Sequence, residues 1–77
     1  MLQYLGQLQP GERGRVTGFE QGDRAFRQKL LAMGLTTGAE LDVVRVAPLG
    51  DPMEIRVRGS SLSLRRDEAA IVRVESL

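Results

Sequence analysis

The side chains able to do chemistry form a short inventory built from arginines and carboxylates. Cysteine and histidine are both absent. Their absence removes disulfides, thiolate ligands and thiol chemistry, together with the commonest general base and transition-metal ligand. A serine or threonine nucleophile needs a neighbouring base, and the chain offers one lysine, Lys29. No tuned group for general acid–base work emerges, so the residues read as a non-enzyme without a cofactor. For a metal, only carboxylates, carbonyls and water remain. Glu40 and Asp42 share one face of a strand and Asp67 adjoins Glu68; such ligands suit hard cations better than zinc. Each pair reads as solvated surface charge, and no metal site is expected.

The arginines raise the question of a polyanion. Arg56, Arg58, Arg65 and Arg66 could line up across adjacent strands, but Glu54, Asp67 and Glu68 interrupt them. Single-strand binders pair a basic groove with exposed stacking rings, and the aromatic residues here are Tyr4, Phe19 and Phe26. A solvated, mixed-charge face is the preferred reading, with no nucleic acid expected. Two features favour a protein partner instead. Leu31 falls within a polar helix face made by Arg24, Arg27 and Gln28, although a lone exposed leucine is ordinary. Leu49 sits at the tip of a stiff Pro48-Leu49-Gly50-Asp51-Pro52 loop, where it either projects outward or folds back onto Val46. Loops on a rigid scaffold commonly carry binding.

The elements that must position these residues follow from the pattern. Asp23 to Gly34 is the one convincing helix: Asp23 can cap its first turn, and Phe26, Leu30 and Met33 fall on one face. Gly34 suits C′, with Leu35 at C″ placed to touch Leu30. Before the helix, Pro10-Gly11 suits a type II turn, and a strand is expected through Gly14–Phe19, weakened at Gly14 and Gly18, which suggest bulges or a bend. After it, Thr36-Thr37-Gly38 turns into Leu41–Val46, where the apolar phase slips; the slip predicts a bulge or bend at Val43-Val44. Leu35-Thr36-Thr37-Gly38 echoes Leu8-Gln9-Pro10-Gly11, which shared turn chemistry explains as well as duplication does. Ala47–Pro52 reads as a hairpin tip. Met53, Ile55 and Val57 alternate cleanly with Glu54, Arg56 and Arg58. Gly59-Ser60-Ser61 is then expected to turn into a short strand at Leu62–Leu64, Arg65–Glu68 to form a single turn, and Ala70–Val74 to close the set. About five short strands and one short α-helix predict a mainly β, SH3-like, partly open barrel with the helix plugging one end.

Composition agrees. The 77 residues are expected to form a single domain, 1–77, with a core just large enough to stand alone. The net charge of +1 does not mark the whole molecule as a polyanion binder. No apolar run approaches the ~20 residues of a membrane span. The start, Met-Leu-Gln-Tyr-Leu-Gly, lacks the features of a signal peptide, so a cytoplasmic location is expected.

Four segments together resemble the FeoA family, the bacterial ferrous iron transport protein A: Gly18-Phe19; Arg27 to Leu35 (Arg-Gln-Lys-Leu-Leu-Ala-Met-Gly-Leu); Val43 to Pro52 (Val-Val-Arg-Val-Ala-Pro-Leu-Gly-Asp-Pro); and Leu62-Ser63-Leu64-Arg65. The resemblance runs in order from about Leu5 to Glu75. It implies an SH3-like cytoplasmic accessory of ferrous iron uptake that works with FeoB, the membrane permease with a cytosolic G domain. On that implication the partner surface is expected at Arg24, Arg27 and Leu31 on the helix and at Leu49 and Asp51 on the loop. An arginine finger speeds GTP hydrolysis by stabilising transition-state charge; for Arg24 and Arg27, solvating the helix or steering docking is preferred. FeoA-like domains also resemble the carboxy-terminal domain of iron-dependent repressors, so the alternative is a regulatory or nucleic-acid-binding SH3-like domain.

Overall fold

The structure is a computed structural model, and it describes residues 3–20 and 24–77. Six strands, β1 (Gln3–Tyr4), β2 (Arg13–Phe19), β3 (Glu40–Val46), β4 (Met53–Val57), β5 (Ser60–Leu64) and β6 (Val72–Ser76), form one sheet in the order β1-β6-β2-β3-β4-β5. Every pairing is antiparallel. A flat sheet is about 10 Å thick, whereas this chain measures 28 × 25 × 24 Å. The sheet is therefore rolled on itself, and the two edges, β1 and β5, do not pair. This is the SH3-like, partly open barrel.

Two bulges produce the roll. The β3–β4 register shifts between Val43 and Arg45, where the apolar phase slips in the sequence. The second shift, between Val16 and Gly18 against β6, falls at the glycine that weakens β2. An extra residue bends its strand and sharpens the twist, letting a single sheet wrap one core. That core includes Leu5, Leu8, Val16, Leu30, Leu35, Leu41, Val43, Met53, Ile55, Val57, Leu64, Val72 and Val74. Close approach matters at Gly14, where a Cβ would lie 3.1 Å from Leu8 Cδ1 and 3.4 Å from the Glu75 carbonyl oxygen.

The echoed segments form the same turn. The Glu12 N–H donates to the Gln9 carbonyl and the Ala39 N–H to the Thr36 carbonyl, with Gly11 at φ 90° and Gly38 at φ 91°. Each turn follows a buried leucine, Leu8 or Leu35, and hands the chain to the next strand.

The helix α1 (Arg24–Ala32) ends as its sequence demands. The Leu35 N–H donates to the Leu30 carbonyl and the Gly34 N–H to the Leu31 carbonyl, both at 3.1 Å. With Gly34 at φ 102°, this is the Schellman closure. Asp23, expected as the cap, lies outside the described residues, as does most of the Glu20–Gly22 linker. Of the three residues expected to face inward, Leu30 is fully buried and Met33 packs partly against the core. Phe26 is only half-buried, so the plug rests mainly on the carboxy-terminal half of the helix.

The strand count and one turn need correction. β1 and the 3₁₀ turn Leu5–Gln7 were not legible, since two residues carry no period. The β4–β5 turn is Arg58-Gly59, at φ 53° and 82°, so β5 starts at Ser60 rather than Leu62. Both central residues are left-handed, as a two-residue type I′ hairpin requires. A second helix, α2 (Arg66–Ala69), occupies the expected single turn, and β6 begins at Val72 rather than Ala70.

Candidate functional site

The candidate surface is assembled around α2. Among the described residues Glu68 is the one charged residue that is buried, at 3% exposure. Its Oε1 accepts the Arg65 N–H at 2.9 Å, half of a capping box, and its Oε2 accepts from Lys29 Nζ on α1 at 2.6 Å. Those two bonds to the charged form hold its carboxyl below the usual glutamate value, outweighing burial. Glu68 thus fastens α1 to α2 and is withdrawn from the surface.

From the same short helix, Arg66 reaches the hairpin tip. Its Nη2 donates to the Leu49 carbonyl, and its backbone N–H donates to Asp51 Oδ1 at 3.2 Å. The guanidinium lies so close over the loop that a Cβ on Gly50 would stand 2.8 Å from Nη2. Within the tip, Gly50 N–H donates to Ala47 and Ala47 N–H to the Pro52 carbonyl. Leu49 is therefore held outward at 84% exposure rather than folded onto Val46. The loop forms a ridge between two concavities. One, of about 220 Å³, includes Leu8, Val46, Met53, Ala69 and Arg66 in its lining. The other, of about 330 Å³, includes Arg45, Pro48, Pro52 and Glu54.

Of the sequence-predicted residues, Arg24 and Arg27 are exposed on α1 and Leu31 is 37% exposed beside the buried Leu30. Leu49 and Asp51 are joined on the tethered loop, where Asp51 also has a structural task at the start of α2. Helix face and loop are linked through α2, by Lys29–Glu68 on one side and Arg66 on the other. Sequence reasoning missed Arg66 and Glu68 as the fastening pair. The Arg-Arg-Asp-Glu run shows their charge but not which of them turns inward.

Charge is sorted across the barrel. Arg13 bonds Glu40 and Asp42, Arg15 bonds Glu40 and Glu75, and Arg45 bonds Glu54. The candidate carboxylate pair Glu40/Asp42 is thereby occupied by arginine, and among the described residues no three potential ligands gather to hold a metal ion. Among those residues the guanidinium groups of Arg24, Arg27, Arg56, Arg58, Arg65 and Arg66 form no ion pair with a carboxylate. Tyr4 donates to Glu20 Oε2 at 2.6 Å, and that bond with burial raises its phenol above the ordinary value.

The rolled sheet with its plugging helix defines a small, partly open SH3-like barrel. The FeoA domain model matches residues 4–76, so the chain belongs to the FeoA family, which serves ferrous iron transport. A fused Fe(2+) transport protein A/Fe(2+) transporter FeoB from Porphyromonas gingivalis is 38% identical over 71 residues; the match covers 92% of this chain and 8% of that protein. The chain thus spans under a tenth of that relative's length. The solution structure of FeoA from Chlorobium tepidum superposes with a TM-score of 0.88 at 41% identity, over 97% of this chain and 70% of that one. A crystal structure of Stenotrophomonas maltophilia FeoA complexed with zinc, described as a prokaryotic SH3 domain protein, gives 0.83 at 25% identity, over 95% and 89%. The fold alone is shared with IdeR from T. acidophilum, at 20% identity and a TM-score of 0.88 over 99% of this chain and 34% of that one.

Proposed function

We propose that the chain is a non-enzymatic, cytoplasmic accessory of ferrous iron uptake that docks on FeoB, the membrane permease, and modulates its transport or assembly. The observation that carries this reading is the Porphyromonas gingivalis relative, in which an FeoA part and an FeoB part share one polypeptide. Fusion keeps two modules at high effective concentration, which is useful where they must meet. No helix among the described residues is long and apolar enough to cross a membrane; in this reading the pore belongs to FeoB. The surface is Arg24, Arg27 and Leu31 on α1 with Leu49 and Asp51 on the loop. Leu49 is the apolar anchor, because its loop is already fixed and little ordering entropy is lost on docking. The arginines steer encounter with an acidic counterpart.

The aromatic residues favour a protein partner over a single-stranded nucleic acid. Tyr4, Phe19 and Phe26 are all at least half-buried, leaving no exposed ring for base stacking. The test is ferrous iron uptake in a bacterial strain lacking this chain but retaining FeoB. The wild-type chain restores uptake, and Leu49→Ser, stably folded, restores it poorly. Full restoration by Leu49→Ser and Leu31→Gln alike would overturn the proposed surface.

A further inference from the structure

The sheet has two edges, and they are treated differently. β1 is two residues long and passes at once into the 3₁₀ turn, which blunts it. β5 is five residues, Ser-Ser-Leu-Ser-Leu, and among the described residues its strand neighbour is β4 alone. Natural edge strands are normally protected by lysine, proline, a bulge or a cover. β5 has none of the first three, and its pairing with β4 is regular throughout.

The groups this edge exposes follow from the turn. In a two-residue hairpin the flanking residues, Val57 and Ser60, exchange both backbone bonds. Alternation then commits Ser60, Leu62 and Leu64 to β4 and directs the N–H and C=O groups of Ser61 and Ser63 away from the sheet. On the outer face the register places Ser61 beside Arg56, Arg56 beside Asp42, and Asp42 beside Arg13. Arg13 bonds Asp42; Arg56 has no carboxylate. Ser61 is small, so Arg56 can reach across it. A strand added to β5 would lie two strand spacings, about 10 Å, from the β4 backbone, within the combined reach of an arginine and a glutamate. Arg58 and Arg65 stand just before and just after β5, exposed and also without carboxylates. Arg58 holds φ 53°, where asparagine or glycine is the usual occupant. Glu54, beside Ser63, is already bonded to Arg45, so it does not repel an approaching acid at full strength.

We propose that β5 is a docking edge for an extended acidic segment of a partner protein. The segment pairs with the free backbone groups of Ser61 and Ser63. It presents an acid beside Ser61 to Arg56 and further acids to Arg58 and Arg65. Its inward side chains are apolar and cover the partly buried Leu62. A second copy of this chain is the wrong occupant, because antiparallel β5–β5 pairing of Ser61 with Ser63 would bring Arg58 of one copy opposite Arg66 of the other, like charge against like. The proposal goes beyond the FeoB reading and does not depend on it.

The test uses an end-blocked peptide of about seven residues, an ordinary strand length, alternating valine and glutamate, with a glutamine version and a short single-stranded oligonucleotide beside it. NMR should show the Ser61 and Ser63 amides shifting and gaining exchange protection with the glutamate peptide alone. Arg56→Glu should weaken that binding about fivefold, the scale of one cross-strand charge pair reversed. Ser61→Pro should abolish it while preserving the fold, since that N–H is not in the β4 ladder. Equal binding of the glutamine peptide would overturn the proposal. So would perturbation that leaves Ser61 and Ser63 untouched, or protection of these amides by the oligonucleotide or by self-association.

Discussion

Leu30 and Leu31 are adjacent, chemically identical and assigned opposite duties, so substituting each by alanine separates packing from docking. Leu30 is 0% exposed and Leu31 37%. Truncating a buried leucine removes its transfer free energy and leaves a cavity, about 2–5 kcal/mol in all. A domain of this size has a total stability of about 4–12 kcal/mol, so Leu30→Ala consumes a large share of it. At roughly 4–8 °C per kcal/mol for a small domain, a loss of about 3 kcal/mol lowers the melting temperature by roughly 12–24 °C. Leu30→Gln is harsher, because it also buries an amide without a partner. Leu31→Ala changes stability by no more than about 1 kcal/mol, as surface sites do. Urea and thermal unfolding followed by circular dichroism read both. A Leu30→Ala loss below about 1 kcal/mol, or a larger loss at Leu31, would refute the assignment on which the docking face rests.

Other consequences are equally direct. Glu68 titrates below its ordinary value of 4.5, so its contribution is present above that pH and is lost as pH falls through the folded-state value. Glu68→Gln should therefore flatten the acid limb of the stability profile, and chemical denaturation across a pH series checks it. Gly34→Ala should cost about 1–2 kcal/mol from backbone conformation alone, because at φ 102° its nearest neighbour, Val57 Cγ1, is still 4.0 Å away; a melt that does not move would contradict the Schellman closure. Arg58→Asn should stabilise the β4–β5 hairpin by about 0.5 kcal/mol, since asparagine adopts φ > 0 more readily, and equilibrium unfolding measures it.

The parts of the fold legible in the sequence are those where local chemistry and tertiary context agree. The slip at Val43-Val44, the alternation from Met53 to Val57 and the Leu30–Leu35 closure each reappear in the structure because a period or a cap specified them. The β4–β5 turn was placed too late, so that β5 was expected two residues beyond its start at Ser60, because glycine and serine signal a turn more loudly than an arginine does. β1 escaped because two residues show no period and owe their pairing to β6. The surface was half visible: Leu31 and Leu49 stood out as apolar residues in polar settings. Arg66 and Glu68 did not, since nothing local tells which member of a charged run meets a partner across the barrel. The same blindness made Glu54 and Glu68 look like breaks in the arginine stripe, when folding pairs one with Arg45 and buries the other against Lys29.

Docking on FeoB through α1 and the Leu49 loop can be read by titration calorimetry with full-length FeoB in lipid nanodiscs. The wild-type chain should bind, and the Leu31→Gln/Leu49→Ser variant, melting at an unchanged temperature, should bind at least about tenfold more weakly, or about 1.4 kcal/mol. Undiminished affinity of that folded double variant would contradict the account.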